Sequence, residues 1–419
     1  MKVRKELIVL AAILMVFSFA FAKSHNKVHI SVLHYQDITS PEAKVEDEIF
    51  EEFAKENPDI ELEFEKLFGE AYHQKVRALA AAGDLPDVIY MWPGGRSAEL
   101  TKNELVQDLY PFLGKDKKKY VETAVAPQMD GKLFELPIAV TATHMMYANT
   151  KLLKELGLKM PKTYKDLLAM VPAAKEANVS LIIMPNKASW VMQSCLFSAI
   201  VGRTAGADWA TGSNLSFNDK GFVDALSIIQ ELYTSGAFPA SSISLDYGDG
   251  PNLFAEGKGL FMIDGDWRVN ALVPLMDDEA QEDIELTVFP KIAGQVGPKA
   301  STSIVPATGF GMNANLDGEE AEAAWKLISF FAGEKAAKIR LEKQGVIPSY
   351  KIKMKNIDMA VLAKKRGEFY QDHPGTPVLD NVFSGELIES INTNLQRLGL
   401  GATTPATAAN QIEQVRKSQ

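Results

Sequence analysis

The sequence predicts an α/β protein built as two lobes. Three observations carry that prediction. The first is length: the chain has 419 residues, and about 397 remain once an apolar leader is set aside, more than one hydrophobic core usually supports. The second is a strand–helix–strand–helix–strand rhythm from Val28 to Met91, the pattern of a parallel, doubly wound sheet. The third is Phe254–Trp267, reading F-A-E-G-K-G-L-F-M-I-D-G-D-W. There a helix end is broken by Gly257 and Gly259, and a short apolar run of buried-strand length leads into an acidic, aromatic turn. In open α/β sheets ligands bind at the carboxyl ends of strands.

The leader comes first. Lys2, Arg4 and Lys5 precede an apolar run, Leu7–Phe21, interrupted only by Ser18, and Ala20-Phe21-Ala22 supplies small residues for cleavage. This reads as a secretory signal peptide over residues 1–22. The run is short for a membrane span of about 20 residues. No cysteine follows it, so the mature chain is expected to be free of lipid and periplasmic.

The first strand is expected over Val28–Leu33, with His34-Tyr35-Gln36-Asp37 as a polar loop at its end. Ser40-Pro41 opens a helix, because serine is a preferred N-cap and proline suits the first turn. Val45, Ile49, Phe50 and Phe53 share its apolar face, and Asn57-Pro58 ends it. Ile60, Leu62 and Phe64 alternate with glutamates as a half-exposed strand. A helix through Val76, Leu79 and Ala80 stops at Gly83, and Val88–Met91 is the next buried strand.

Composition narrows the function. The formal net charge is −10, and removing the basic leader makes it more negative still. An acidic surface argues against nucleic acid and anionic membranes as partners. Cys195 is the only cysteine, so no intramolecular disulfide can form, and its apolar neighbours mark a buried, inert thiol. The histidines have no zinc spacing, Asp246–Gly250 lacks the spacing of a calcium loop, and no nucleophile elbow, P-loop or dinucleotide fingerprint occurs. Neither a metal nor a cofactor is expected.

A set of short motifs, in order, resembles the family 1 extracellular solute-binding proteins of ABC importers. Gly83-Asp84-Leu85-Pro86-Asp87-Val88 is similar to the family's G-x-x-P-D-V, and Glu104–Leu109 to the segment after it. Asp130–Pro137 resembles D-G-K-x-Y-G-x-P, with Glu135 in place of glycine. Tyr147–Leu153 and Pro161–Leu167 match further pieces, as do Ala323–Ile328 and Gly345–Pro348. Phe254–Trp267 resembles F-x-x-G-K-A-A-M-x-x-x-G-x-W, with Gly259 and Leu260 replacing two alanines.

The resemblance implies the two-lobe periplasmic binding protein fold, maltose-binding-protein-like, with three interlobe crossings and a cleft between lobes. Crossings are expected near 136–141, 304–308 and 345–349. Lobe 1 is then 23–138 plus 307–346, and lobe 2 is 139–306 plus 347–419. The implied function is capture of a carbohydrate by hinge closure and delivery to the transmembrane subunits of an ABC permease, by a protein expected to be monomeric. Two alternatives stay open. One is a non-sugar solute, a glycerophosphodiester or polyamine, with Arg96, Arg203 and Arg268 available to meet a phosphate. The other is a secreted glycoside-active enzyme using paired carboxylates.

Candidate ligand-binding residues follow from position. Trp267 and Trp92 lie just past predicted strand ends, where an indole can cover the apolar face of a sugar. Trp190, at the start of an apolar helix, is a further platform or a packing residue. Tyr35, Tyr247 and Phe310 are secondary aromatics. Asp264, Asp266 and Asp37 are acceptors for hydroxyls, with Arg268, Gln36 and Asn313 behind them. Which of Asp264 and Asp266 faces the cleft is open from sequence.

Overall fold

In the computed structural model the described residues are 27–38, 41–298, 300–353, 359–373 and 376–419. The leader lies outside them. Two mixed sheets with helices on their faces form two lobes. In the first, β1 (Val28–Tyr35), β2 (Ile60–Leu67), β3 (Val88–Met91), β4 (Leu136–Pro137) and β11 (Gly309–Met312) are ordered β2-β1-β3-β11-β4. In the second, β6 (Met145–Asn149), β7 (Ser180–Ile183), β8 (Gly259–Asp264) and β9 (Ile284–Thr287) are ordered β7-β8-β6-β9.

Neither sheet is wholly parallel. β1 pairs parallel with β2 and β3, and β7 with β8, but β11 and β6 run against their neighbours. The reason is connectivity. Gly309, which starts β11, lies opposite Met91, which ends β3. Met145, which starts β6, lies opposite Asp264, which ends β8. Each antiparallel strand has just crossed from the other lobe, so it enters its sheet at the end where the parallel strands finish.

The crossing is a two-stranded ribbon of β5 (Val140–Ala142) and β10 (Ile304–Pro306), antiparallel, with Ile304 opposite Ala142 and Pro306 opposite Val140. A third segment joins it, since Val140 N–H donates to the Ile347 carbonyl and Ser349 N–H to Ile138. Beyond it, residues 349–351 still run along the first lobe, where Lys351 N–H donates to Lys119 and Tyr350 pairs with Tyr120.

Helix α1 (Pro41–Glu56) buries Ile49, Phe50 and Phe53 against β1 and against Phe331, the last residue of α6 (Gly318–Phe331). This is the apolar face its periodicity predicts. Between them, α2 (Glu70–Ala82), α3 (Lys220–Ser235), α4 (Asp249–Ala255) and α5 (Arg268–Leu272) follow in chain order, and α7 (Glu334–Gln344) and α8 (Val361–Asp372) come after. α8 packs on β9 and on the 278–282 helix, with Leu362 N–H donating to Gln281. The terminal helices α10 (Gly385–Gly399) and α11 (Pro405–Ser418), preceded by the single turn α9 (Leu379–Val382), pack with α3 in the second lobe around Leu226, Ile391 and Ile412.

Two sequence expectations change here. β1 continues through Tyr35, and His34, expected in a loop, is fully buried against Phe50, Tyr90, Phe310 and Phe331 with its Nε2 2.7 Å from Glu46. Phe310, offered as a ligand aromatic, is 1% exposed in that same cluster. The side-chain alternation of β11 directs it inward.

Candidate functional site

Trp92 and Trp267 flank one ribbon from opposite lobes. Trp92 follows β3, whose last residue pairs with Gly309, three residues after β10. Trp267 follows β8, whose last residue pairs with Met145, three residues after β5. The turn before Trp267 is tied to the ribbon itself, since Asp266 N–H donates to the Ala142 carbonyl at 2.8 Å. An interlobe cavity of about 190 Å³ runs from Trp92 to Asn381 and Val382 of the second lobe.

On the first lobe the half-buried Trp92 ring meets Tyr35 edge-on at 4.8 Å and His73 at 4.9 Å. Burial pushes the Tyr35 phenol up to about 12. Burial, then the neighbouring Arg96 guanidinium, pushes His73 down to about 3, so the ring is neutral. On the second lobe Trp190, Tyr247 and Trp267 form a patch, with Trp190 5.0 Å from Tyr247 and 6.2 Å from Trp267.

A polar network holds that second patch. The Trp267 indole donates to the Tyr247 hydroxyl at 2.6 Å, and that hydroxyl donates to Asp264 Oδ1 at 3.3 Å. Asp264 Oδ2 accepts from Arg268 Nε at 2.7 Å, and Arg268 lies 3.4 Å over the Tyr247 ring while donating to the Tyr247 carbonyl. Beneath it, Gly265 exists for a steric reason: a Cβ there would stand 2.2 Å from the Trp267 ring carbons. The indole therefore folds back onto bare backbone.

The candidate residues thus separate. Trp92, Tyr35, Trp190, Tyr247 and Trp267 come together as two aromatic patches. Asp264, expected as a hydroxyl acceptor, is fully buried and spent on Arg268, Gly265 N–H and Tyr247. Asp266 is 2% exposed and turned toward Arg366, whose Nη1 donates to the Asp266 carbonyl. Arg268 is internal for the same reason as Asp264, because a buried charge needs its counterion. Gln36 is buried and donates to Ala43 and Glu46. Asn313 closes the Leu85-Pro86 turn of the first lobe. Asp37 sits half-exposed after β1. Cys195 is buried, its thiol pushed well up by burial and then by Asp264.

Sequence reading missed three contributors. His73 backs Trp92. Arg366 anchors the turn before Trp267, and nothing local links it to a residue 100 positions earlier. Ser194, on the helix after Trp190, holds Asp380 at 2.7 Å. For Asp264 and Arg268 a signal did exist: their separation of four with opposite charge is the spacing of an ion pair. Among the described residues no group of three His, Cys, Asp or Glu could hold a metal, and no helix is long and apolar enough to cross a membrane.

Residues 48–352 match the family model described as bacterial extracellular solute-binding protein. The chain belongs to that family. It is 26% identical over 357 residues to a galactooligosaccharide-binding protein of Bacillus subtilis, covering 83% of this chain and 80% of that one. It is 22% identical over 233 residues to a multiple sugar-binding protein of Streptococcus mutans, covering 54% of each. Among solved structures, a chitin oligosaccharide binding protein superposes with a TM-score of 0.83 at 22% identity over 93% of this chain and 98% of that one. The maltose/maltodextrin-binding domain from Bdellovibrio bacteriovorus, bound to maltotriose, gives 0.74 at 22% over 94% and 99%. The fold is thus the two-lobe one of maltose-binding-like solute-binding proteins.

Proposed function

We propose that this chain is an exported solute-binding protein that captures an oligosaccharide between its lobes and delivers it to an ABC permease. The observation that carries the reading is the pair of aromatic patches, Trp92–Tyr35 and Trp190–Tyr247–Trp267, on strand ends that meet at one ribbon. Indoles and phenols cover the C–H faces of pyranose rings, and an aromatic patch on each lobe would let one ligand touch both. A ligand bound by both lobes favours the closed form, and that differential affinity shifts the population.

The guanidinium groups favour this over an anionic solute. Arg268 is paired with Asp264, Arg96 with Asp380, and Arg203 donates to the Phe289 and Pro290 carbonyls. Hydroxyl recognition falls to Asp37, the only one of the three candidate aspartates left half-exposed, and to backbone groups. Hydrolysis would need two carboxylates facing a glycosidic bond. Asp264 and Asp266 are turned inward, so they do not form that pair. The galactooligosaccharide-binding relative points the same way. The mature protein is taken to be monomeric and free of residues 1–22, with lobe 1 comprising 23–138 plus 307–346 and the 349–351 stretch that runs along it, and lobe 2 the rest.

A thermal-shift panel tests the reading, with oligosaccharides of galactose, glucose, xylose and N-acetylglucosamine beside glycerophosphodiesters and polyamines. A saccharide at 100 times its Kd should stabilise the fold by about 2.7 kcal/mol and be recovered uncleaved. A shift with glycerophosphodiesters or polyamines alone, or cleavage of the saccharide, overturns it.

A further inference from the structure

Just past Trp92 the first lobe touches the second through backbone alone. A Cβ on Gly94 would stand 2.0 Å from the Asn381 carbonyl oxygen, and one on Gly95 would stand 1.9 Å from that of Phe383. The turn carrying these glycines precedes Ser97, whose hydroxyl accepts from the Trp92 N–H at 3.3 Å, and Leu100, which packs with Ile89 and Met91 of β3. Leu379 and Phe383, on either side of Asn381, belong to the core of the second lobe. Next along the chain, Arg96 pairs with Asp380 at 3.2 Å, with the two side chains 17% and 11% exposed. Asp380 is held from behind by the Ser194 hydroxyl, and Arg96 lies 3.2 Å from His73, the residue beneath Trp92.

We propose that Gly94-Gly95-Arg96 and Asp380–Phe383 form a latch that stabilises the closed arrangement of the lobes, so that they set ligand affinity through the fraction of closed molecules. The latch rests on the two-lobe closure described above. It has two parts with different physics. The glycines allow carbonyl oxygens of one lobe to seat against the Cα atoms of the other, an approach any side chain would wedge apart. The ion pair loses most of its water only when the lobes meet, so each charge is compensated only in the closed form. Because apparent affinity scales with the fraction of closing-competent molecules, a change at the latch reaches the ligand site through that fraction.

The test uses Gly95→Ala and Arg96→Met in the full mature chain. Gly95 has no left-handed backbone angle, so alanine is compatible with its own conformation and strains only the interlobe contact. Small-angle scattering of the unliganded variants should show a more open molecule than the wild type, with melting temperatures close to it. Whichever saccharide the panel returns should bind roughly tenfold more weakly. Arg96→Met combined with Asp380→Asn should lose little more than either alone, since both remove one pair. Scattering profiles and affinities equal to the wild type would overturn the latch. If no saccharide binds, the carbohydrate reading fails, and the unliganded scattering still decides the latch on its own: opening supports it and an unchanged profile refutes it.

Discussion

The indole N–H of Trp267 donates to the Tyr247 hydroxyl at 2.6 Å, and this bond explains why a half-buried tryptophan can serve as a fixed platform. The hydroxyl passes the constraint to Asp264, and Asp264 to Arg268, which lies over the Tyr247 ring. The carboxylate expected from sequence to meet a ligand instead orients the surface proposed to meet it.

Trp267→Ala should therefore weaken saccharide binding by ~2 kcal/mol or more, about thirtyfold in Kd, the effect of losing a central aromatic anchor. Calorimetric titration and a melting curve on the same variant give both quantities. Wild-type affinity with a large drop in melting temperature would make Trp267 a packing residue.

Gly265→Ala reaches the same platform from below. The new methyl would meet the ring at 2.2 Å, so the indole must leave its seat and break its bond to Tyr247. We expect weakened binding and altered tryptophan fluorescence with the fold retained. Unchanged affinity would show that the ring orientation is irrelevant.

Asp264→Asn should act on stability. It leaves the buried Arg268 guanidinium without a counterion, a change that costs about 3–5 kcal/mol when one partner of a buried pair is removed. Chemical denaturation measures it. A stable variant with weakened binding would restore Asp264 to direct ligand contact.

Phe310→Ala should likewise cost about 3–5 kcal/mol by opening a cavity among His34, Phe50 and Phe331. Its Kd should stay near that of the wild type. A large affinity loss at normal stability would return Phe310 to the cleft.

His144 predicts a pH dependence. It is 2% exposed beside the ribbon, and burial, then Arg203, pushes its pKa down to about 3. Below pH 6.5 the unfolded chain takes up a proton that the native state refuses. Stability should fall with pH from 6.5 toward 3, by about 2 kcal/mol at pH 5 from this residue. Denaturation of His144→Gln across that range should show a shallower slope. An identical slope would place the acid sensitivity elsewhere.

Much of this protein was legible as a sequence. The helical period marked the buried face of α1 and alternation marked β2, because burial of one face imposes a repeat of 3.6 or two on the chain itself, while β3 and β8, buried at every residue, showed as continuous apolar runs. Glycine breaks and strand ends located Trp92 and Trp267, since those signals are local. Tertiary structure alone decided which polar groups remained for a ligand. The fates of Asp266, Arg96 and Asp380 depend on partners 100 to 284 residues away, and no local pattern records a partner brought close only by the crossing of three chain segments. Phe310 lies between two glycines, so its neighbours carry no alternation to say which way it points. The antiparallel sense of β6 and β11 has the same origin: direction in a sheet is set by where the chain comes from, which here is the other lobe.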